Sequence, residues 1–208
     1  VLRIWLRRRM RKLEANKLIL ASHNKGKLAE FKKLFAPYDI EVVLAGDLNL
    51  PEPEETGETF EENAILKAEA AAQATQEIAL ADDSGLCVYG LDGAPGVYSA
   101  RYAINPQSGE RDFAYGMKRV HDALSDNPDR RAAFVAVLAL VWPDGHAETF
   151  EGRCEGELIW PPRGDKGFGY DPFFVPEGEA QSFGEAPALK EKHAHRHKAF
   201  AALASNVF

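Results

Sequence analysis

The sequence predicts an α/β fold: a long mixed β-sheet flanked by helices. Three observations carry that prediction. Short apolar runs alternate with helix-patterned segments early in the chain, two long strand-like runs then meet at a turn signal, and the chain closes on a helical tail. Alternation of strand and helix favours parallel neighbours, whereas a tight turn imposes an antiparallel pair, so one sheet holds both.

Each element has its own signal. Lys17–Ser22 (KLILAS) is a short apolar run of the kind found in buried strands. Asn24 follows as a cap for a helix with Leu28, Phe31, Leu34 and Phe35 at helical spacing. Ile40–Leu44 reads as a second strand and Pro51–Gly57 (PEPEETG) as an acidic loop. Thr59 and Glu62 form a capping box at the head of an alanine-rich helix that runs to about Thr75. Ile78–Ala81 is a third strand, expected to end at Asp82-Asp83-Ser84-Gly85. Residues 90–109, rich in Gly and Pro, read as loop, and Glu110–Leu124 as helix. Ala132–Trp142 and His146–Trp160 form a hairpin about Pro143-Asp144-Gly145. Phe173–Val175 is a further short strand, and the closing helix runs from His197.

At 208 residues, with 45% hydrophobic and 27% charged side chains, residues 17–208 suffice for one domain with a sizeable core. The formal net charge of −7 argues against a general nucleic-acid coat, which needs a basic face to displace counterions. Two cysteines, Cys87 and Cys154, exclude a disulfide scaffold and a four-cysteine zinc site, and fit a reducing compartment such as the cytoplasm. No uncharged apolar run approaches the roughly 18 residues of a membrane span. Residues 1–16 are expected to be a basic extension outside the fold. Residues 1–9 hold four arginines and read as an upstream extension before Met10, with a basic tether as the alternative.

Several segments have the composition for chemistry, each with a structural alternative. Ser22-His23-Asn24-Lys25-Gly26-Lys27 lies between a strand and a helix. N–H groups at a helix start attract anions, and two lysines add full charges. The alternative is a capped helix with two solvated lysines. The segment is not a Walker A loop, because Ala21 and Leu28 occupy its first and last positions. Glu52, Glu54, Glu55, Asp82 and Asp83 supply carboxylates from two separate segments, the donor set Mg²⁺ takes from protein when phosphates and water complete its shell. On their own, a solvated loop and an ordinary D-S-G turn explain them better. Asn63 and Lys67 share a helix face that leads back to the acidic loop, putting Lys67 within reach of a polyphosphate, though such a lysine is more often just solvated. Phe168 and Tyr170 flank Gly169 ahead of Asp171, an arrangement suited to stacking on a base or to a core turn. His193, His195 and His197 alternate around Arg196. A transition-metal site is the minor reading of them, and donation to a base or phosphate by His195 and Arg196 the stronger. Both cysteines read as structural.

Taken in order, ASHNKGKLAEF, EETGETFEENAILKA, ADDSGL, GAPGVYSARY, GFGYDP and the His195-Arg196 pair resemble the inosine triphosphate pyrophosphatase family, the XTP/dITP diphosphatases, from about Lys17 to about Ala204. The resemblance implies a two-lobed fold with a central cleft and a homodimer. It implies Mg²⁺-dependent hydrolysis of ITP, dITP and XTP to the monophosphate and pyrophosphate. It makes Asp83 the acceptor of the water proton and, with Glu55, a Mg²⁺ ligand. Ser22 through Lys27, together with Lys67, would hold the triphosphate, and Ser84 would also touch substrate. Phe168, Gly169, Tyr170 and Asp171 would enclose the base, with Lys190, His195 and Arg196 at the nucleotide. Two positions depart from the family pattern. Ser22-His23-Asn24 stands where many members have Thr-Gly-Asn, keeping hydroxyl and amide. Ala194 stands where they have serine, so any hydrogen bond from that hydroxyl is missing.

The chemistry is self-consistent. Cleavage between the α- and β-phosphates needs neutralisation of a pyrophosphate leaving group, which a cation and Lys67 supply. A site built to donate to a 6-oxo group rejects adenine, whose amine would leave buried donors unpaired. Guanine shares the 6-oxo group, so its exclusion lies at position 2. The competing readings are a pyrophosphatase of another base preference and a nucleotide- or RNA-binding module. A binder keeps its affinity in EDTA, whereas the enzyme needs its metal. A Nudix hydrolase is disfavoured by the absence of an R-E-x-x-E-E stretch.

Overall fold

The computed structural model describes residues 10–208. Its elements are β1 (Lys17–Leu20), α1 (Lys25–Phe35), β2 (Glu41–Leu44), α2 (Phe60–Thr75), β3 (Ala79–Val88), α3 (Ser99–Tyr102), α4 (Phe113–Leu124), β4 (Arg131–Val141), β5 (Ala147–Leu158), β6 (Phe174–Pro176), α5 (Ala188–His193) and α6 (His195–Val207). Among the described residues the strands form one sheet in the order β2-β1-β3-β4-β5-β6. The three strands that alternate with helices run parallel, and β4, β5 and β6 join antiparallel, so the mixed α/β prediction holds.

The sheet is covered on both faces. Leu18, Leu20, Leu80, Leu138 and Leu140 meet Phe31 and Phe35 of α1 and Phe200 and Leu203 of α6 on one side. Ile19, Ala79, Ala81 and Ala139 meet the alanine face of α2 on the other. Small residues on both partners let α2 lie close to the strands. A further cluster under α4 joins Leu86, Val120, Phe134, Phe173 and Phe183. Central β4 is buried along its length after Arg131, which is why it reads as an unbroken apolar run.

Two expectations need correction. First, β3 does not stop at Ala81: it continues through Asp82-Asp83-Ser84-Gly85 to Val88, paired throughout with β4. The aspartates remain in a buried strand because cations from three helices meet them, a compensation invisible in the local sequence. Second, residues 10–16 are part of the fold. Leu13 is buried in the α1/α6 core, and its N–H donates to the Val207 carbonyl at 3.0 Å. Arg11 pairs with Asp144 at 2.6 Å and lies 5.0 Å from the Trp142 ring centroid, so acidic and aromatic partners on the β4–β5 hairpin absorb the basic charge. The expected upstream extension, residues 1–9, lies outside the described residues.

Smaller differences concern element ends. The helix predicted from Glu110 starts at Phe113, where the Asp112 carboxylate caps it by accepting from the Tyr115 N–H at 3.1 Å. The helix predicted from His197 starts at His195 and follows a separate short helix.

Candidate active site

The site is built where β1 ends early. Its last rung against β3 is Leu20↔Leu80, so among the described residues β3 has no strand neighbour on that side from Asp82 onward. The chain leaving β1 turns there into α1. Asn24 is its N-cap: the amide oxygen accepts from the N–H groups of Gly26 and Lys27 at 2.8 and 3.2 Å. The Ser22 hydroxyl oxygen accepts from the Asn24 N–H at 3.1 Å. Acceptors are therefore consumed within the loop, while the Ser22 O–H and the Asn24 amide N–H groups keep their capacity to donate, as an anion requires. Lys25 is exposed, and His23 contacts the Leu50 carbonyl through Nε2 at 2.9 Å, pinning the start of the acidic loop.

Adjacent residues on a strand point to opposite faces, and Asp82 and Asp83 obey this rule. Asp83 faces α2, where its Oδ1 accepts from Lys67 Nζ at 2.7 Å. The same Nζ meets Glu55 Oε1 at 2.8 Å. Asp82 faces α1 and α6, where it is bound by Lys27 at 2.9 Å and Arg196 at 2.9 Å. Arg196 also pairs with Glu30 at 2.8 Å and reaches Ser84 Oγ at 3.4 Å.

Electrostatics separate the two aspartates. Burial alone would raise both. For Asp82 the positive charges of Arg196 and Lys27 more than offset burial and hold the carboxyl well below the usual range. For Asp83 burial outweighs the attraction of Lys67, and the neighbouring Glu55 and Asp82 charges add to it, so its carboxyl is raised. Lys67 is also buried, but its two carboxylate partners outweigh that and keep it firmly protonated. Asp82 is thus a permanent anion organising cations, and Asp83 the more basic carboxylate.

The acidic loop is docked to the head of α2. Asn63 accepts from the Gly57 N–H at 2.8 Å and donates to the Gly57 carbonyl at 3.3 Å. Position 57 must be glycine because a Cβ there would lie 2.7 Å from Asn63 Oδ1. The predicted capping box of Thr59 and Glu62 is present. Asn63 is therefore a buried structural anchor for the loop that presents Glu55.

The residues expected at the base centre on the Gly167–Asp171 turn and the helices that follow it. Asp171 Oδ2 accepts from the Phe168 N–H at 2.6 Å and pairs with Lys190 at 2.5 Å, which ties the Gly-Phe-Gly turn to α5. Phe168 is 68% exposed, with one edge on Phe113 at 5.0 Å between centroids, and Gly169 supports the turn with φ of 69°. Tyr170 is different: it is buried, and its hydroxyl donates into the core to the Ser99 carbonyl at 2.9 Å. The His195 ring stacks on Phe134 at 5.3 Å, with a buried Nδ1 that has no partner among the described residues. Burial, reinforced by Arg196, lowers its pKa to about 3, so the ring is neutral. The alternating histidines do not converge: His193 meets Glu179 at 2.8 Å and His197 lies 3.6 Å from Glu30.

Sequence reasoning missed Glu30, which carries a signal in retrospect: it lies one helical turn after Lys27 on α1. It also assigned nothing to Arg101, whose guanidinium contacts Glu55.

Fold and site together define an α/β protein in which a helix start, two lysines and a carboxylate pair converge at an interrupted sheet edge. The model of the Ham1 family matches residues 18–206, and the chain belongs to that family. It is 54% identical over 196 residues to the dITP/XTP pyrophosphatase of Gluconobacter oxydans, covering 93% of this chain and 92% of that one. It is 52% identical to the dITP/XTP pyrophosphatase of Rhodopseudomonas palustris, covering 90% and 94%. Among solved structures, a HAM1 protein from Coxiella burnetii superposes with a TM-score of 0.84 at 39% identity, covering 91% of this chain and 96% of that one.

Proposed function

We propose that this protein hydrolyses dITP, XTP and ITP to the nucleoside monophosphate and pyrophosphate, clearing them from the nucleotide pool. Relatives named dITP/XTP pyrophosphatase, more than half identical over nearly their whole length, support the activity. The observation in the site that carries the reading is the Asp83–Lys67–Glu55 triad at 2.7 and 2.8 Å beside the α1 start.

Asp83 accepts the proton of the attacking water, a role favoured by its raised carboxyl. Lys67 and Lys27 stabilise charge on the departing pyrophosphate. Ser22, Asn24 and the first N–H groups of α1 orient the phosphates. Phe168 stacks on the base, while Lys190, His195 and Arg196 face its polar edge.

The site also fits Mg²⁺. Asp83 Oδ2 is buried without a hydrogen-bond partner among the described residues, and Glu55 stands across the shared lysine. Mg²⁺ commonly takes only one or two protein carboxylates, leaving positions for water and phosphate. Glu55 and Asp83 would hold it, and it would neutralise phosphate charge when bound. The reading includes a two-lobed cleft and a homodimer.

The test is Asp83→Asn with dITP and ³¹P detection of products. Turnover should fall by about 10²–10⁴, with nucleotide binding retained and native enzyme yielding only monophosphate and pyrophosphate. Near-native turnover in the variant would remove Asp83 from its role.

A further inference from the structure

Arg101 has no part in the chemistry above, yet it grips the acidic loop beside its key residue. Its Nη2 donates to the backbone carbonyl of Glu55 at 3.0 Å and lies 3.4 Å from Oε2 of the same residue. The guanidinium sits 5.2 Å from the centroid of the Tyr98 ring, a cation–π contact that narrows its rotamers.

The short helix α3 that carries Arg101 is itself locked to β3. Ser99 Oγ accepts from the Leu86 N–H at 2.9 Å and donates to the Gly96 carbonyl at 2.7 Å. Gly85 makes room for this approach, since a Cβ there would lie 2.6 Å from Ser99 Oγ. Leu86 is three residues along the strand from Asp83. A continuous chain of contacts thus runs from the Asp83 strand through Leu86, Ser99 and Arg101 to the Glu55 backbone, independent of Lys67.

The rest of the loop shows why that tether matters. Its ends are held by His23 at the Leu50 carbonyl and by Asn63 at Gly57. Among the described residues, the Arg101 contact is the one hydrogen bond made to the backbone of residues 51–56. Without it, only the side-chain pair with Lys67 orders Glu55, and the backbone of the span must be ordered at each binding event.

We propose that Arg101 is a positioning residue for Glu55: by tying the loop backbone to the strand of Asp83, it sets the separation of the two carboxylates that hold the divalent cation. This rests on Glu55 and Asp83 being the metal pair. Lysine preserves the charge at position 101 but not the planar fork that reaches carbonyl and carboxylate together, so Arg101→Lys rescues only in part.

The experiment compares native protein with Arg101→Gln, Arg101→Lys and Glu55→Gln. Mn²⁺ affinity is measured calorimetrically with an α,β-imido analogue of dITP bound, alongside the Mg²⁺ concentration giving half-maximal dITP hydrolysis. Amide exchange of Gly57, the loop N–H that donates to Asn63, is followed in the same proteins. Arg101→Gln should weaken Mn²⁺ and raise the Mg²⁺ requirement on the order of tenfold, as loss of a ligand-orienting partner typically does. Exchange in the loop should accelerate, with kcat at saturating Mg²⁺ and Tm retained. If Glu55→Gln weakens Mn²⁺ while Arg101→Gln leaves affinity and exchange unchanged, the role of Arg101 is overturned and the metal pair stands. If Glu55→Gln binds Mn²⁺ as tightly as native protein, the metal pair itself is overturned. Should Arg101→Gln fail to fold, Tyr98→Ala, which removes the stacking partner from an exposed site, must shift the Mg²⁺ requirement in the same direction. No shift there contradicts the proposal.

Discussion

Lys27 and Lys67 reach the same carbonyl oxygen, that of Asp82, at 3.3 Å each. They come from α1 and α2, on opposite faces of the sheet, and meet because β1 stops at Leu20 and frees the neighbouring edge of β3. A sheet normally separates what packs on its two faces. Here the missing rungs form a window through which two ammonium groups share one edge, where the proposed function puts the substrate's phosphates.

Lys67 is the more committed of the pair, since it also binds Asp83 and Glu55. Lys67→Ala should raise the KM for dITP about tenfold to a hundredfold, the worth of a hydrogen bond to a charged group. The inhibition constant of the monophosphate product should change little. Equal losses for both nucleotides would mean that Lys67 is not a ligand of the β- and γ-phosphates.

Arg196 contributes to stability as well as to the site. The Asp82 side chain is 1% exposed, and removing Arg196 leaves that charge to Lys27 alone. Arg196→Ala should therefore lose about 3 kcal/mol in urea unfolding, at the lower end for a broken buried pair because one cation remains. Adding Asp82→Asn should restore much of the loss. A single variant within about 0.5 kcal/mol of native would show that the pair is not strongly coupled.

The neutral His195 makes the fold acid-sensitive. Its pKa is about 3 in the folded protein, against 6.5 for a free side chain. As pH falls below 6.5, the unfolded chain binds a proton that the folded protein refuses, so stability declines down to the folded pKa. The charges facing it, Arg196, Lys190 and Lys27 against Asp82, keep the same sign in the range where the decline begins. Between pH 6.5 and 5, before most carboxylates titrate, native protein should lose roughly 1.5 kcal/mol more than His195→Gln. Parallel profiles would mean that His195 protonates freely in the folded state.

Much of this was legible in the sequence, for identifiable reasons. The α1 cap and the capping box of α2 are local rules, written in residues three or four apart, and both are present. The hairpin at Pro143-Asp144-Gly145 is likewise local. The continuation of β3 through two aspartates was not legible, because the residues that stabilise it, Lys27, Lys67 and Arg196, lie up to 114 positions away. For the same reason the opposite orientation of Asp82 and Asp83 emerged only with the strand. Residues 10–16 looked foreign by charge, whereas Leu13 and Arg11 have partners near the other end of the chain and on a distant hairpin. Tyr170 carries the composition of a stacking residue but spends its hydroxyl on Ser99, a contact no motif encodes.

The central claim is tested most directly by pyrophosphate release from equal concentrations of ITP, XTP, dITP, GTP, ATP and dUTP, with Mg²⁺ and with EDTA. The account predicts fast, Mg²⁺-dependent release from ITP, XTP and dITP, and little from the other three. Release from none of the six, with nucleotide affinity unchanged in EDTA, would contradict it and leave a nucleotide-binding module in place of an enzyme.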